Sequence, residues 1–304
     1  MMKIAIAGGS GFIGSALANQ LTANGHSVLI LTRNNDNKQD TKNVTFVEWL
    51  KEGSTPEKEL ARIDAFVNLA GESLNSGRWT EKRKRRILKS RIDATKEAIA
   101  ILHKLDQKPE ILINASAIGY YGTSFKQTFT EQNKESGDDF LAEVVKSWEA
   151  EASHAITDNI RVAYMRFGMV LDDNEGALNQ MMIPFKLFAG GPLGTGKQWI
   201  SWVHIDDVIG SIIFTIENNK LSGPVNVTAP TPVQMNEFGR KLADVINRPY
   251  WLPSPSIALK TVLGDMSVLV LEGQRVIPEK LQHHQYPFQF PELEGALKNL
   301  LSES

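Results

Sequence analysis

The stretch Lys3-Ile4-Ala5-Ile6-Ala7-Gly8-Gly9-Ser10-Gly11-Phe12-Ile13-Gly14 decides the fold. Lys3 to Ala7 is a short apolar run of the kind that forms a buried strand. Glycines at 8, 11 and 14 follow, and Ile13, Leu17 and Leu21 then recur at helical spacing. In a chain with 23 glycines the pattern G-x-x-G-x-x-G says little by itself. Its place, directly after a strand and opening a helix, gives it meaning. The first glycine permits the tight turn, the second lets backbone approach a pyrophosphate, and the third lets helix and strand pack closely. The helix N-terminus supplies N–H groups and positive potential to phosphate. Gly8, Ser10, Gly11, Phe12 and Ile13 are therefore the expected contacts of a dinucleotide.

The pattern repeats outward from this unit. Gly25-His26 ends the helix, and the apolar run 27–32 reads as a second buried strand. Further strands are expected at 44–47, 65–69, 111–116 and 162–167, with helices at about 80–105 and 139–155 between them. Alternating helices and continuously apolar strands predict an α/β fold, a Rossmann-type doubly wound parallel sheet. Beyond residue 168 the pattern loosens. Helices are expected at 206–217 and 236–246 around a strand at Val225-Asn226-Val227, and Pro249, Pro253 and Pro255 precede short helices reaching Leu300. The division this predicts is a dinucleotide-binding part, 1–170, with a return to the sheet around 202–227, and a smaller α+β substrate-binding part, 171–304.

Composition excludes several classes. The 304 residues are 42% hydrophobic and 22% charged, as in ordinary globular chains. With 33 basic and 35 acidic residues the net charge is -2, so no excess of cations calls for nucleic acid or an anionic membrane. The absence of cysteine removes disulfides, thiolate metal sites and thiol nucleophiles. Asp172-Asp173 and His283-His284 lack partners at ligand spacing, so no metal is expected. With no secretion signal at the start and no apolar run of membrane-spanning length, the expected location is cytoplasmic.

The end of the second strand bears on the cofactor. Sites for NAD place Asp or Glu there to hold the ribose 2′-hydroxyl. Here Thr32-Arg33-Asn34 stands instead, with no acid before Asp36. Arginine offers a planar cationic fork for a 2′-phosphate, so NADP(H) is favoured over NAD(H).

Together with Asn68-Leu69-Ala70-Gly71-Glu72, these residues resemble the extended short-chain dehydrogenase/reductase superfamily, and more narrowly its subfamily of sugar-nucleotide or NAD-dependent epimerases. Shared signatures run through the chain: Arg78-Trp79-Thr80, Ser90-Arg91, Ala115-Ser116-Ala117-Ile118-Gly119-Tyr120-Tyr121-Gly122, Trp148-Glu149-Ala150, Arg166-Phe167-Gly168-Met169-Val170-Leu171, Trp202-Val203-His204-Ile205-Asp206-Asp207 and Leu271-Glu272-Gly273-Gln274-Arg275-Val276. The resemblance implies that Leu69, Ala70, Gly71 and Glu72 lie beside the adenine ribose. It places the nicotinamide near Ser116, Tyr120 and 167–170, including Met169.

The chain departs from that pattern where chemistry is expected. Ser116 occupies the family serine position, but the Y-x-x-x-K is absent: Leu141 and Val145 align with its tyrosine and lysine. Lys146 is one residue off, about 100° around a helix. Arg91 aligns with the family asparagine, where it can hold a phosphate or carboxylate bidentately. Tyr120 and Tyr121 are the candidate replacements for the missing phenol, provided a cation such as Arg91 lowers a pKa. Otherwise they are packing rings. His204 is implied to be an anchor between the two parts, with catalysis the lesser reading. The basic run Lys82-Arg83-Lys84-Arg85-Arg86 reads as a solvated helix face with Arg91 inward, or with Arg78 or Arg86 on a phosphate. The glycine loop 190–196 reads equally as a lid or as packing. Two functions remain open: a nucleotide-sugar epimerase or reductase working by hydride transfer on a small polar, nucleotide-linked substrate, or an NADP(H)-binding redox sensor or scaffold. A homodimer is expected by analogy with related folds.

Overall fold

The computed structural model describes residues 1–36, 38–74 and 77–301. The strands in chain order are β1 Lys3–Ala7, β2 Ser27–Thr32, β3 Val44–Glu48, β4 Ala65–Asn68, β5 Ile111–Ala117, β6 Thr128–Phe129 and β7 Arg161–Phe167. After them come β8 Met169–Leu171, β9 Trp199–Ile200, β10 Trp202–His204, β11 Gly223–Val227, β12 Val233–Gln234 and β13 Arg275–Val276. The helices are α1 Phe12–Ala23, α2 Glu81–Lys104, α3 Phe140–Ala152, α4 Ala177–Lys186, α5 Ile205–Glu217, α6 Met235–Val245, α7 Ser256–Leu263, α8 Val268–Leu271, α9 Glu279–His283 and α10 Leu293–Leu301.

Seven strands form one parallel sheet in the order β11-β7-β5-β4-β1-β2-β3. Successive side chains on a strand point to opposite faces. On β1, Ile4 and Ile6 pack with Leu17 and Leu21 of α1 and with Val208 and Ile212 of α5. Ala5 and Ala7 face the other way, toward Ala98 and Leu102 of α2 and Ala152 of α3. Both faces are covered, which is why the strands are mostly apolar. Burying each such Leu or Ile contributes about 1.5–3 kcal/mol.

The helix starts are written in the sequence. Thr80 caps α2 by accepting the N–H of Arg83, and Asp139 caps α3 by accepting that of Ala142. Expected and observed elements agree to within a few residues, except that the helix expected to reach 155 turns into a tighter helix at Ser153–Asp158.

The chain after residue 200 supplies both α5 and the edge strand β11 to the sheet. A second core gathers Met182 and Phe185 of α4, Phe238 and Leu242 of α6, Trp202, and Leu297 and Leu300 of α10. The two regions are joined at α5, where the Asp207 carboxylate accepts the N–H groups of Gln289 and Phe290 and the Tyr286 hydroxyl. Among the described residues no helix is long and apolar enough to cross a membrane.

Candidate cofactor-binding and active site

Strand order reverses at β1: the chain runs β1-β2-β3 to one side and continues with β4 on the other. In open parallel sheets the crevice at such a switch point, beyond the carboxyl ends of the strands, is where ligands bind. The glycine turn after β1 and Leu69-Ala70-Gly71 after β4 meet there. Gly8 has φ +79°, and a Cβ on it would lie 2.9 Å from the backbone of Leu69. At Gly14 a Cβ would fall 2.2 Å from the Gly8 carbonyl oxygen, so only glycine lets α1 close onto the turn. At Gly11 a Cβ would meet only the Gly8 oxygen, at 3.3 Å, and the turn is otherwise open on that side. Gly11 caps α1 without a side-chain acceptor. The first-turn N–H groups of Phe12 and Ile13 are thus available to a ligand. Ser10 is exposed beside them.

At the end of β2 the Thr32 hydroxyl donates to the Asn34 carbonyl, and Arg33 is exposed. Below this turn a buried polar chain ties the strand ends to the helices. Asn68 donates to Thr95 at 3.0 Å and to the Asn114 carbonyl oxygen at 2.8 Å, and the Trp148 indole donates to Thr95 at 3.0 Å.

Arg91 is oriented by donating to the carbonyls of Glu72 and Ile87 and lies over the Trp148 ring at 5.1 Å. Burial pulls its pKa down to about 10, with Glu72 opposing and Arg83 adding to the fall. Its side chain rests against Gly71, so it lines the crevice wall. Glu72 is an ion-pair centre: its carboxylate accepts from Arg83 and Arg86, which hold its pKa below the ordinary carboxylate value. The Glu72 backbone N–H donates to Ser90 Oγ. Arg86 is therefore engaged within the protein, and Arg78 donates to the Thr261 carbonyl at 2.7 Å.

The end of the crevice beside β5 and β7, where the resemblance puts the nicotinamide, holds a cluster that sequence reasoning missed. Ser116 on β5 and Arg166 on β7 are register partners, so their side chains emerge together. Ser116 Oγ donates to Glu149 Oε1 at 2.6 Å. Arg166 grips the same carboxylate through Nε and Nη2, both at 2.8 Å. All three residues are buried, Arg166 to the point of 3% exposure. Burial acts to lower the Arg166 pKa, but the hydrogen bond and charge of Glu149 outweigh it and the net shift is upward. The guanidinium lies 3.5 Å from the centre of the Tyr120 ring and 4.9 Å from that of Tyr121. One signal was available: an arginine inside an otherwise apolar strand requires a buried anion.

The two tyrosines differ from the expectation. The cation beside them is Arg166, whereas Arg91 sits over Trp148. Tyr121 is buried, donates its hydroxyl to Asn226 Oδ1 at 2.8 Å and stacks on Phe129. Burial pushes its pKa up to about 12, opposite to the lowering an acid catalyst needs. Tyr120 is partly exposed and donates to the Lys134 carbonyl at 2.7 Å. Leu141 and Val145 do face this end: a Cβ on Gly119 would lie 3.3 Å from Leu141 and 4.0 Å from Val145. Lys146 is exposed. Met169 starts β8 and is fixed by its N–H to the Ser201 carbonyl.

His204 is a joint. It is 1% exposed, stacks on Phe290 at 3.9 Å, accepts the Asp206 N–H at Nδ1 and meets Asn299 Oδ1 at Nε2. Burial lowers its pKa, so the neutral ring donates through Nε2. The loop 190–196 is packing: Gly191 has no room for a Cβ against Leu252, and backbone bonds join Gly194 and Pro192 to Ser254.

A seven-stranded parallel sheet with a glycine turn at its switch point defines a nucleotide-binding α/β protein of the extended short-chain type. The sequence pattern of the NAD dependent epimerase/dehydratase family matches residues 4–228, and the chain belongs to that family. A second pattern, a domain of unknown function (DUF1731), matches residues 254–300. Epimerase family protein YfhF of Bacillus subtilis is 47% identical over 302 residues, spanning 99% of each chain. Epimerase family protein SSP1921 of Staphylococcus saprophyticus is 42% identical, spanning 99% of this chain and 100% of that one. Among solved structures, human epimerase family protein SDR39U1 with NADPH superposes at a TM-score of 0.86, with 32% identity and both chains fully covered.

Proposed function

We propose that this protein binds NADP(H) and transfers hydride reversibly between its nicotinamide and a small polar, nucleotide-linked substrate, without the tyrosine–lysine relay of its superfamily. The observation that carries the cofactor reading is the cradle at the switch point, where glycines at 8 and 14 hold the turn and Phe12 and Ile13 offer N–H groups. Arg33, exposed at the end of β2, is the residue for a 2′-phosphate. Arg91 and Leu69 to Gly71 line the wall between them. The human relative solved with NADPH supports the same choice.

When bound, the nicotinamide supplies or accepts a hydride. The protein's part is to orient the substrate. With its proton donated to Glu149, Ser116 presents lone pairs and accepts a hydrogen bond from a substrate hydroxyl, whose proton would pass to solvent water as its carbon gives up the hydride and return from water in the reverse step. Arg166 holds the Glu149 carboxylate in place through Nε and Nη2. Arg91 supplies a cation to a phosphate or carboxylate of the substrate.

Titration with NADPH and NADH followed by fluorescence tests the cofactor reading. Arg33→Asp should weaken NADPH roughly 10- to 100-fold, the worth of a charge-assisted bond, and reverse the preference. Unchanged preference would remove Arg33 from the site. Turnover is tested by product analysis after incubation with NADPH and a panel of nucleotide sugars. A second reading, a redox sensor, is favoured by the apolar Leu141 and Val145 at the relay positions. It predicts tight NADPH binding with no product from any of them.

A further inference from the structure

Six residues of the C-terminal region supply half of the large apolar side chains exposed among the described residues. Leu187, Phe188, Trp251, Leu252, Ile257 and Val262 are 42–81% exposed. Backbone and ring contacts tie the Phe188 turn to Trp251 and Leu252. Trp251 donates its indole N–H to the Phe188 carbonyl at 2.9 Å, and the backbone N–H groups of Trp251 and Leu252 both reach Gly190. The chain then enters α7, none of whose residues is buried. Charge on this face is mostly basic, the exposed Asp265 that follows α7 being paired with Lys84. The sequence has no Asp or Glu between Glu175 and Asp206, nor between Asp244 and Asp265, although acids outnumber bases overall. Lys186, Arg248 and Lys260 lie in those two stretches, with Arg248 over the Phe188 ring at 4.8 Å.

We infer that this face docks on an anionic lipid surface, its Trp, Phe, Leu and Ile side chains entering the headgroup boundary while the cations meet lipid phosphates. Protruding aromatic and aliphatic side chains ringed by Lys and Arg suit an interface between water and acyl chains. A two-fold dimer through the same face would set its cations against their own copies. The side chains project from turns and a short helix and line no groove for a peptide. The inference is independent of the hydride chemistry above.

The test is co-sedimentation of the full chain with vesicles of phosphatidylcholine alone or mixed with phosphatidylglycerol. Binding to the anionic vesicles is expected, with none to the neutral ones. Each cation near the surface is worth about fivefold, so the double variant Lys186→Gln/Lys260→Gln should bind roughly 25-fold more weakly. Leu187→Glu/Ile257→Glu should abolish binding while NADPH affinity and near-UV circular dichroism stay unchanged. Equal partition to both vesicle types, no partition to either, or binding untouched by the variants overturns the inference. So does a dimer in analytical ultracentrifugation that Leu187→Glu/Ile257→Glu returns to monomer.

Discussion

Replacing Glu149 by alanine should be among the most damaging single changes in this protein. The carboxylate accepts three hydrogen bonds, from Ser116 Oγ, Arg166 Nε and Arg166 Nη2. Arg166 is 3% exposed, so water cannot take over its solvation. Removing one partner of a buried, hydrogen-bonded pair leaves the other charge stranded, at a cost of about 3–5 kcal/mol. Ser116→Ala removes a single charged hydrogen bond and should cost about 1.5–3 kcal/mol. Replacing both charges at once, Glu149→Leu/Arg166→Met, should be milder than Glu149→Ala alone. It strands no charge, only the Ser116 hydroxyl, and otherwise forfeits mainly the contacts of the guanidinium with Tyr120 and Tyr121, about 0.5–2 kcal/mol. The assay is urea unfolding followed by circular dichroism, with stabilities taken by linear extrapolation. A Glu149→Ala loss below about 1 kcal/mol would refute the burial argument. So would a double variant as unstable as Glu149→Ala, because the cost would then lie in packing and not in an orphaned charge.

Other outcomes follow from single contacts. Gly14→Ala places a Cβ 2.2 Å from the Gly8 carbonyl and should abolish NADPH binding, measured by fluorescence, with a loss of stability of about 1–3 kcal/mol or more; normal affinity would mean the turn relaxes freely. Glu131 is buried, with Oε1 accepting the N–H groups of Asn226 and Lys280, and burial raises its pKa above the ordinary value. The folded state therefore prefers the protonated form, and stability is lost as pH rises from the ordinary Glu pKa through the raised one. Glu131→Gln should accordingly raise the melting temperature at pH 7 and lose that advantage toward pH 4; a pH-independent difference would show that ionisation is not the cause.

The sheet was readable because strands covered on both faces are mostly apolar, and because the glycine turn sits where a strand meets a helix. Leu141 and Val145 could be assigned to the relay positions from the family resemblance, aligned on Glu149. The cluster beneath them could not. Ser116, Glu149 and Arg166 come from β5, α3 and β7, and nothing local in any of these segments names its partners. Tyr121 illustrates the same limit. Its hydroxyl is taken by Asn226, 105 residues away, so its role depends on how β11 pairs with β7. Arg91 and Arg166 were alike on paper; the fold put one over an indole and the other against a carboxylate.

That β11 closes the sheet has a consequence for the growing chain. Synthesis completes β7 at Phe167, but the strand that covers its edge ends only at Val227, about 60 residues later. At typical elongation rates this leaves the β7 edge open for roughly 3–12 s on the ribosome. During that interval an unpaired row of backbone groups beside a finished hydrophobic face is a template for another nascent chain. The return of the chain to the sheet thus sets the period in which this protein depends on a chaperone, or on chance, to stay unpaired.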